Sequence, residues 1–246
     1  MTSQTLPQNT RNAEPAAAVR SLKGTWSIGS RKAVSRVIGA LFLLGFVSYG
    51  TGFALVTSVV GAPDFLATIS THQTTLIFGV FLMLLNSVVD VGKGVLFFPV
   101  VEPHGKRTAL AYLATMIVEV VLLAVGVLAL LLIVPLGQYT GGESAAWAKA
   151  FGSLLTQSNS LAYQLAMMSL AIGNMFLWSL SYRTRLIPRL LSVWGVIGYA
   201  IFLAGAIAEI FGIPISLMAS IPGGLFEVVL GFWLIVKGFE PNAYRA

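Results

Sequence analysis

Asp90 and Lys93 stand three residues apart in an apolar run from Leu76 to Val101, and Asn86 lies one turn earlier. On a helix this spacing puts acid and base on one face, where they can pair. The run is long enough to cross a bilayer, which takes roughly 20 residues. A charge at the centre of such a span costs roughly 2.5 to 3.5 kcal/mol, so it is kept only where it faces other helices, water or a partner. Glu119, Asn174 and Glu227 occur inside further apolar runs. Counting about 1.5 Å of helical rise per residue from the flanking charges places these three and Asp90 near one depth. Lys93 then falls about one turn nearer the basic links, Gln164 lies toward the opposite side, and Glu209 is expected at an interface.

Asn86, Asp90, Lys93, Glu119, Asn174 and Glu227 are therefore the candidate binding residues. Three acids share one lysine, so full ionisation would leave two negative charges uncompensated in low dielectric. The set is expected to hold at least one proton at neutral pH and to titrate as a unit. Proton relays and ion pathways use such layers. The alternative is a hydrogen-bonded knot that only holds helices in register.

Other chemistry is poorly supplied. The chain has no cysteine, which removes disulfides, thiolate metal sites and thiol nucleophiles. Its two histidines, His72 and His104, fall in links on opposite sides of the membrane, so no metal centre is expected and no cofactor is implied. H-E-x-x-H, G-x-S-x-G and a phosphate-binding glycine loop are all missing. One lysine beside one acid is too little to carry a retinal-type Schiff base. An enzyme acting on lipid head groups would need a cleft lined by His104, Lys106 and Arg183, and no nucleophile–base pair stands out.

The elements that must position these residues are spanning helices. With 57% hydrophobic and 10% charged residues and a mean hydropathy of +0.86, the chain is far more apolar than a water-soluble domain. An all-α fold is expected, a bundle of six transmembrane helices at about 34–60, 76–101, 110–136, 161–180, 190–211 and 217–236. Residues 1–33 read as a flexible basic tail, 34–239 as the membrane domain and 240–246 as a short C-terminus. Thirteen of the fifteen Lys and Arg residues lie in the N-terminal stretch through Arg36, the links at 102–109 and 181–189, and the stretch from Lys237 onward. By the positive-inside rule both termini are then cytoplasmic in a multi-pass protein of the cell membrane. The net charge of +6 thus records topology rather than nucleic-acid binding. The expected partners are the lipid bilayer and a proton or small ion, with a second copy or another membrane protein left open.

Finer features are expected as follows. Trp147, Phe151, Leu154 and Leu155, after an N-cap at Ser144, read as a short helix on the outer surface. Trp178, Tyr182, Trp194 and Trp233 read as interfacial anchors. Ala200, Ala204 and Ala208, and the pair Gly224 and Gly231, are small residues spaced for helix contact. Pro222, followed by two glycines, is expected to kink or partly unwind the last span.

The stretch from Tyr163-Gln164-Leu165 to Tyr182-Arg183-Thr184-Arg185-Leu186-Ile187-Pro188-Arg189-Leu190-Leu191-Ser192-Val193-Trp194-Gly195 resembles the bacterial family named domain of unknown function 4386. So do Gly224-Leu225-Phe226-Glu227, the run Gly231 to Phe239 and the third span around Glu119-Val120-Val121-Leu122-Leu123, a likeness covering about residues 33 to 239. The resemblance implies an integral membrane fold and transfers no catalytic residue. Members of that family often carry an arginine three residues before the glutamate that Glu119 matches. Here that position is Met116, and Lys93 would have to supply the cation from a neighbouring helix. Glu-Val-Val-Leu occurs at 119–122 and again at 227–230, in spans of opposite direction, as in an inverted three-plus-three repeat. The expected function is a small permease or membrane sensor with a protonatable midplane site. The alternative is a structural or accessory membrane subunit.

Overall fold

The computed structural model describes residues 28–139 and 141–244, and among these all regular structure is helical. The tail expected over residues 1–33 falls, up to residue 27, outside the described residues. Six long helices follow one another: α1 (Ile28–Val60), α2 (Phe65–Val101), α3 (Lys106–Leu131), α4 (Gly142–Thr184), α5 (Arg189–Ile210) and α6 (Ser216–Val236). Short 3-10 turns at Val134–Gln138 and Pro241–Tyr244 complete the chain. All six helices are long and apolar enough to cross a membrane. A helix satisfies its own backbone polar groups, which is what hydrocarbon demands of a spanning segment. The protein is a six-helix polytopic membrane bundle.

Each helix packs on its sequence neighbours and α6 closes back on α1, so the six form a ring. Its perimeter is apolar, with Val47, Phe81, Val88, Val121, Phe176 and Phe232 all exposed, a surface suited to lipid and not to water. The links carrying Lys106, Arg107, Arg183 and Arg185 gather at one end, called the basic end here. That end is tied by Glu240 N–H donating to the Leu186 carbonyl at 2.9 Å and by a contact of His104 Nε2 with the Ala243 carbonyl at 3.2 Å. Arg185 ends α4 in the left-handed region (φ 55°) and turns the chain into α5.

Two helices are longer than hydropathy shows. The 37 residues of α2 reach back to Phe65, with one non-helical residue at His72 (φ −121°, ψ 28°). The 43 residues of α4 make a rod of roughly 65 Å, so the separate surface helix expected around Trp147 does not exist. The segment between is polar but lacks proline, and its hydroxyls bond back into the helix: Thr156 to the Gly152 carbonyl (3.0 Å) and Ser158 to that of Leu154 (2.9 Å). Ser144 is not the N-cap, which is Gly141. These extensions pack on each other. Phe65 sits where Gly152 leaves space, and with Ile69, Leu136 and Leu155 it forms a small core that caps the end opposite the basic one.

Close helix contacts run through glycine. A Cβ placed on Gly52 would lie 2.6 Å from the Gly79 carbonyl oxygen, and one on Gly198 would lie 3.1 Å from Gly223 Cα. Gly39 and Gly231 bring α1 and α6 together in the same way near the basic end. In α5 the contact face is Gly195, Gly198 and Gly205, whereas Ala204, in the stripe expected from Ala200 to Ala208, faces outward. The alanine spacing reflected an apolar run rather than a buried face.

Helix α6 continues through Pro222, so the partial unwinding expected there is absent. The Pro222 carbonyl accepts a hydrogen bond from Trp194 Nε1 at 3.0 Å, fixing this turn against α5. Trp178 is likewise not an interfacial anchor. It is fully buried, with its ring edge-on to Phe97 at 6.0 Å and to Phe226 at 5.1 Å. Sequence shows how near a tryptophan is to a helix end but not which face it occupies.

Candidate functional site

The centre of the ring is built from α2 outward. Lys93 Nζ lies 2.6 Å from Asp90 Oδ1, and Asn86 Nδ2 donates to Asp90 Oδ2, also at 2.6 Å. Both oxygens of the acid are thus engaged, and all three side chains are buried. The ammonium also stands 4.8 Å from the centre of the Phe42 ring of α1, a favourable cation–π distance. Room for the group comes from Gly45, where a Cβ would meet Asn86 Oδ1 at 2.9 Å. Among the described residues, Lys93–Asp90 is the one ion pair within 4 Å.

Glu119 and Glu227 therefore meet the same space without a cation of their own. Glu119 on α3 is 2% exposed, and its Oε2 has no hydrogen-bond partner. Glu227 on α6 accepts a hydrogen bond at Oε1 from the Tyr199 hydroxyl of α5. The two glutamates stand on helices three places apart in the ring, and both line one cavity of about 440 Å³. Asn86, Asp90 and Lys93 line it too, with Tyr49 of α1 and Tyr163 of α4, whose rings stack 5.7 Å apart. Every helix of the ring thus contributes a polar side chain to this space.

The three tyrosines were missed in the sequence. A signal existed, since Tyr49 and Tyr199 fall in the middle of their apolar runs, where a hydroxyl needs a partner, rather than at the ends. Asn174, by contrast, does not line the cavity. It sits one turn beyond Leu170 toward the basic end, donates to the Leu170 carbonyl at 3.0 Å, and leaves its Oδ1 unpartnered. Gln164 and Glu209 serve another junction, where α6 begins. The Ser216 hydroxyl donates to Gln164 Oε1 at 2.9 Å and its backbone N–H to Glu209 Oε2 at 3.0 Å, which links α4, α5 and α6.

The cavity opens sideways. Phe46 and Gly50 of α1, and Leu217, Ile221 and Leu225 of α6, line it and are exposed on the perimeter. Toward the basic end the gap is shut by the Gly39–Gly231 contact. A second, smaller hollow at the basic end is lined by Arg185, Arg189 and Glu240, and not by the His104, Lys106 and Arg183 that a head-group enzyme would need. No group of three His, Cys, Asp or Glu residues among those described is placed to hold a metal ion. What the central arrangement can do is bind a positive charge, or a proton, between two carboxyl groups beside aromatic walls.

Comparison with known proteins returns one kind of likeness. No curated protein and no solved structure matches. Met116 of α3 packs against Gly94 of α2, the residue after Lys93. Residues 37–238 match the family described as a domain of unknown function, DUF4386, and the chain belongs to that family.

Proposed function

We propose that this protein is a small permease or membrane sensor whose central cavity takes up a proton or a small cation at Glu119 and Glu227. The observation that carries this is Glu119, a buried acid that lines a cavity of about 440 Å³ and whose Oε2 has no hydrogen-bond partner. A side-chain knot built for register would satisfy its members, because an unpaired buried polar atom costs about 1 to 3 kcal/mol. The groups that face the two acids are Asp90 and Lys93 from α2, Tyr49 from α1, Tyr163 from α4 and Tyr199 from α5. Asp90 neutralises Lys93, so the remaining acids lack a cation until a proton or ligand supplies one.

Glu119→Leu separates this from the accessory-subunit reading. Removing an unbonded buried acid should leave unfolding in detergent at or above the native midpoint while abolishing any ligand response. A loss of about 3 kcal/mol or more, as expected when a member of a bonded knot is removed, would favour the structural role instead.

The proposed orientation places the basic end and both termini in the cytoplasm of the cell membrane, supported by the Lys/Arg asymmetry. Single cysteines at Asp64 and Ser144 should then react with an impermeant maleimide on intact cells, and one at Pro103 only after permeabilisation. Reaction of the Pro103 position from outside would invert the topology.

A further inference from the structure

We propose that the cavity binds a cationic amphiphile, an alkyl or aryl ammonium that enters from the bilayer between α1 and α6. This rests on the reading of Glu119 and Glu227 as a binding site and adds the class of ligand. Charge selects the head. Asp90 is occupied at both oxygens by Lys93 and Asn86, so the space is left with two carboxyl groups and no free cation. An anionic or phosphate-bearing head would find only carboxylates and an already paired lysine. A bare divalent metal would find too few ligands, since no suitable group of three exists among the described residues.

The walls select the rest of the molecule. Tyr49 and Tyr163 present stacked rings beside the acids, a surface that favours an ammonium over a neutral head. The buried end is polar, whereas the mouth is framed by exposed Phe46, Leu217, Ile221 and Leu225, so a tail can lie in hydrocarbon while the head reaches Glu119. The volume of about 440 Å³ is within the ~300–1,000 Å³ usual for small-molecule sites. Gly50 sits in this mouth, and a Cβ there would meet no atom within 4 Å. A large side chain can therefore fill the opening without straining the helices around it.

The test is binding of radiolabelled dodecyltrimethylammonium to the protein in phosphatidylcholine nanodiscs, corrected for partition into empty discs. A saturable component of one per chain is expected. It should weaken about tenfold or more in Gly50→Trp and in the Glu119→Gln/Glu227→Gln double variant, and persist in Gly50→Ala. Dodecyl sulfate and dodecanol should not compete. Absence of saturable binding, equal competition by dodecanol, or indifference to Gly50→Trp would overturn the proposal. Displacement by phosphatidylethanolamine in the disc would also overturn it, by assigning the cavity to a lipid head group. If carboxyl titration of the two glutamates is seen without amphiphile binding, the ligand class fails and the proton-binding site stands. If neither saturable binding nor carboxyl titration is seen, both fail.

Discussion

Lys93→Met is expected to cost the bundle about 3 to 5 kcal/mol, the penalty for leaving a buried carboxylate without its partner. Asp90 would keep only the Asn86 amide at 2.6 Å, in a position 3% exposed and walled by α1. The strength of the effect comes from desolvation rather than from any large gain on forming the pair. Replacing both residues, as Lys93→Met with Asp90→Leu, should therefore cost much less than Lys93→Met alone. A double-mutant cycle, read from reversible unfolding in mixed micelles, measures the coupling. Additive losses would mean that the two side chains do not meet in the folded protein.

Phe226→Ala is expected to be about as damaging, with a loss of about 3 to 5 kcal/mol. The ring is fully buried and meets Trp178, Trp194 and Tyr199 edge-on at centroid distances of 5.1, 6.3 and 6.3 Å. In a bilayer the apolar term between helices is weak, so close packing of this kind carries much of the association. Gly195 of α5 admits the ring, because a Cβ there would lie 2.8 Å from Phe226 Cζ. The matched control is Phe232→Ala, which removes an exposed ring of the same helix and should change little. Because Glu227 is the next residue, the cavity should change shape with the packing. Equal unfolding midpoints for the two variants would show that this aromatic cluster does not hold α5 to α6.

The six spans were legible because insertion into hydrocarbon imposes a length and a composition that few other segments share. The convergence of Asp90, Lys93, Glu119 and Glu227 on one space was legible for a related reason: each is too costly to face lipid, so each must point inward. Depth alone was not enough for Asn174, where an error of one turn separates the cavity from solid packing. The full lengths of α2 and α4 were hidden because hydropathy reports the part of a helix in hydrocarbon. Thr156 and Ser158 continue the helix beyond it with their hydroxyls bonded to the carbonyls four residues back, which hydropathy does not register. Trp178 and Ala204 went to the wrong face because both sit in runs apolar all round, where periodicity carries no signal. Pro222 kept its helix because neighbouring α5 stabilises that turn through Trp194.

The central claim is that Glu119 and Glu227 exchange a proton from within the bundle. Infrared difference spectroscopy of the reconstituted protein between about pH 5 and 9, a window set by the behaviour of buried carboxyls, reads that exchange directly. The expected result is a protonated-carboxyl band that titrates in the native chain and changes in both Glu119→Gln and Glu227→Gln. A spectrum with no titrating carboxyl, or one that both substitutions leave unaltered, would contradict it.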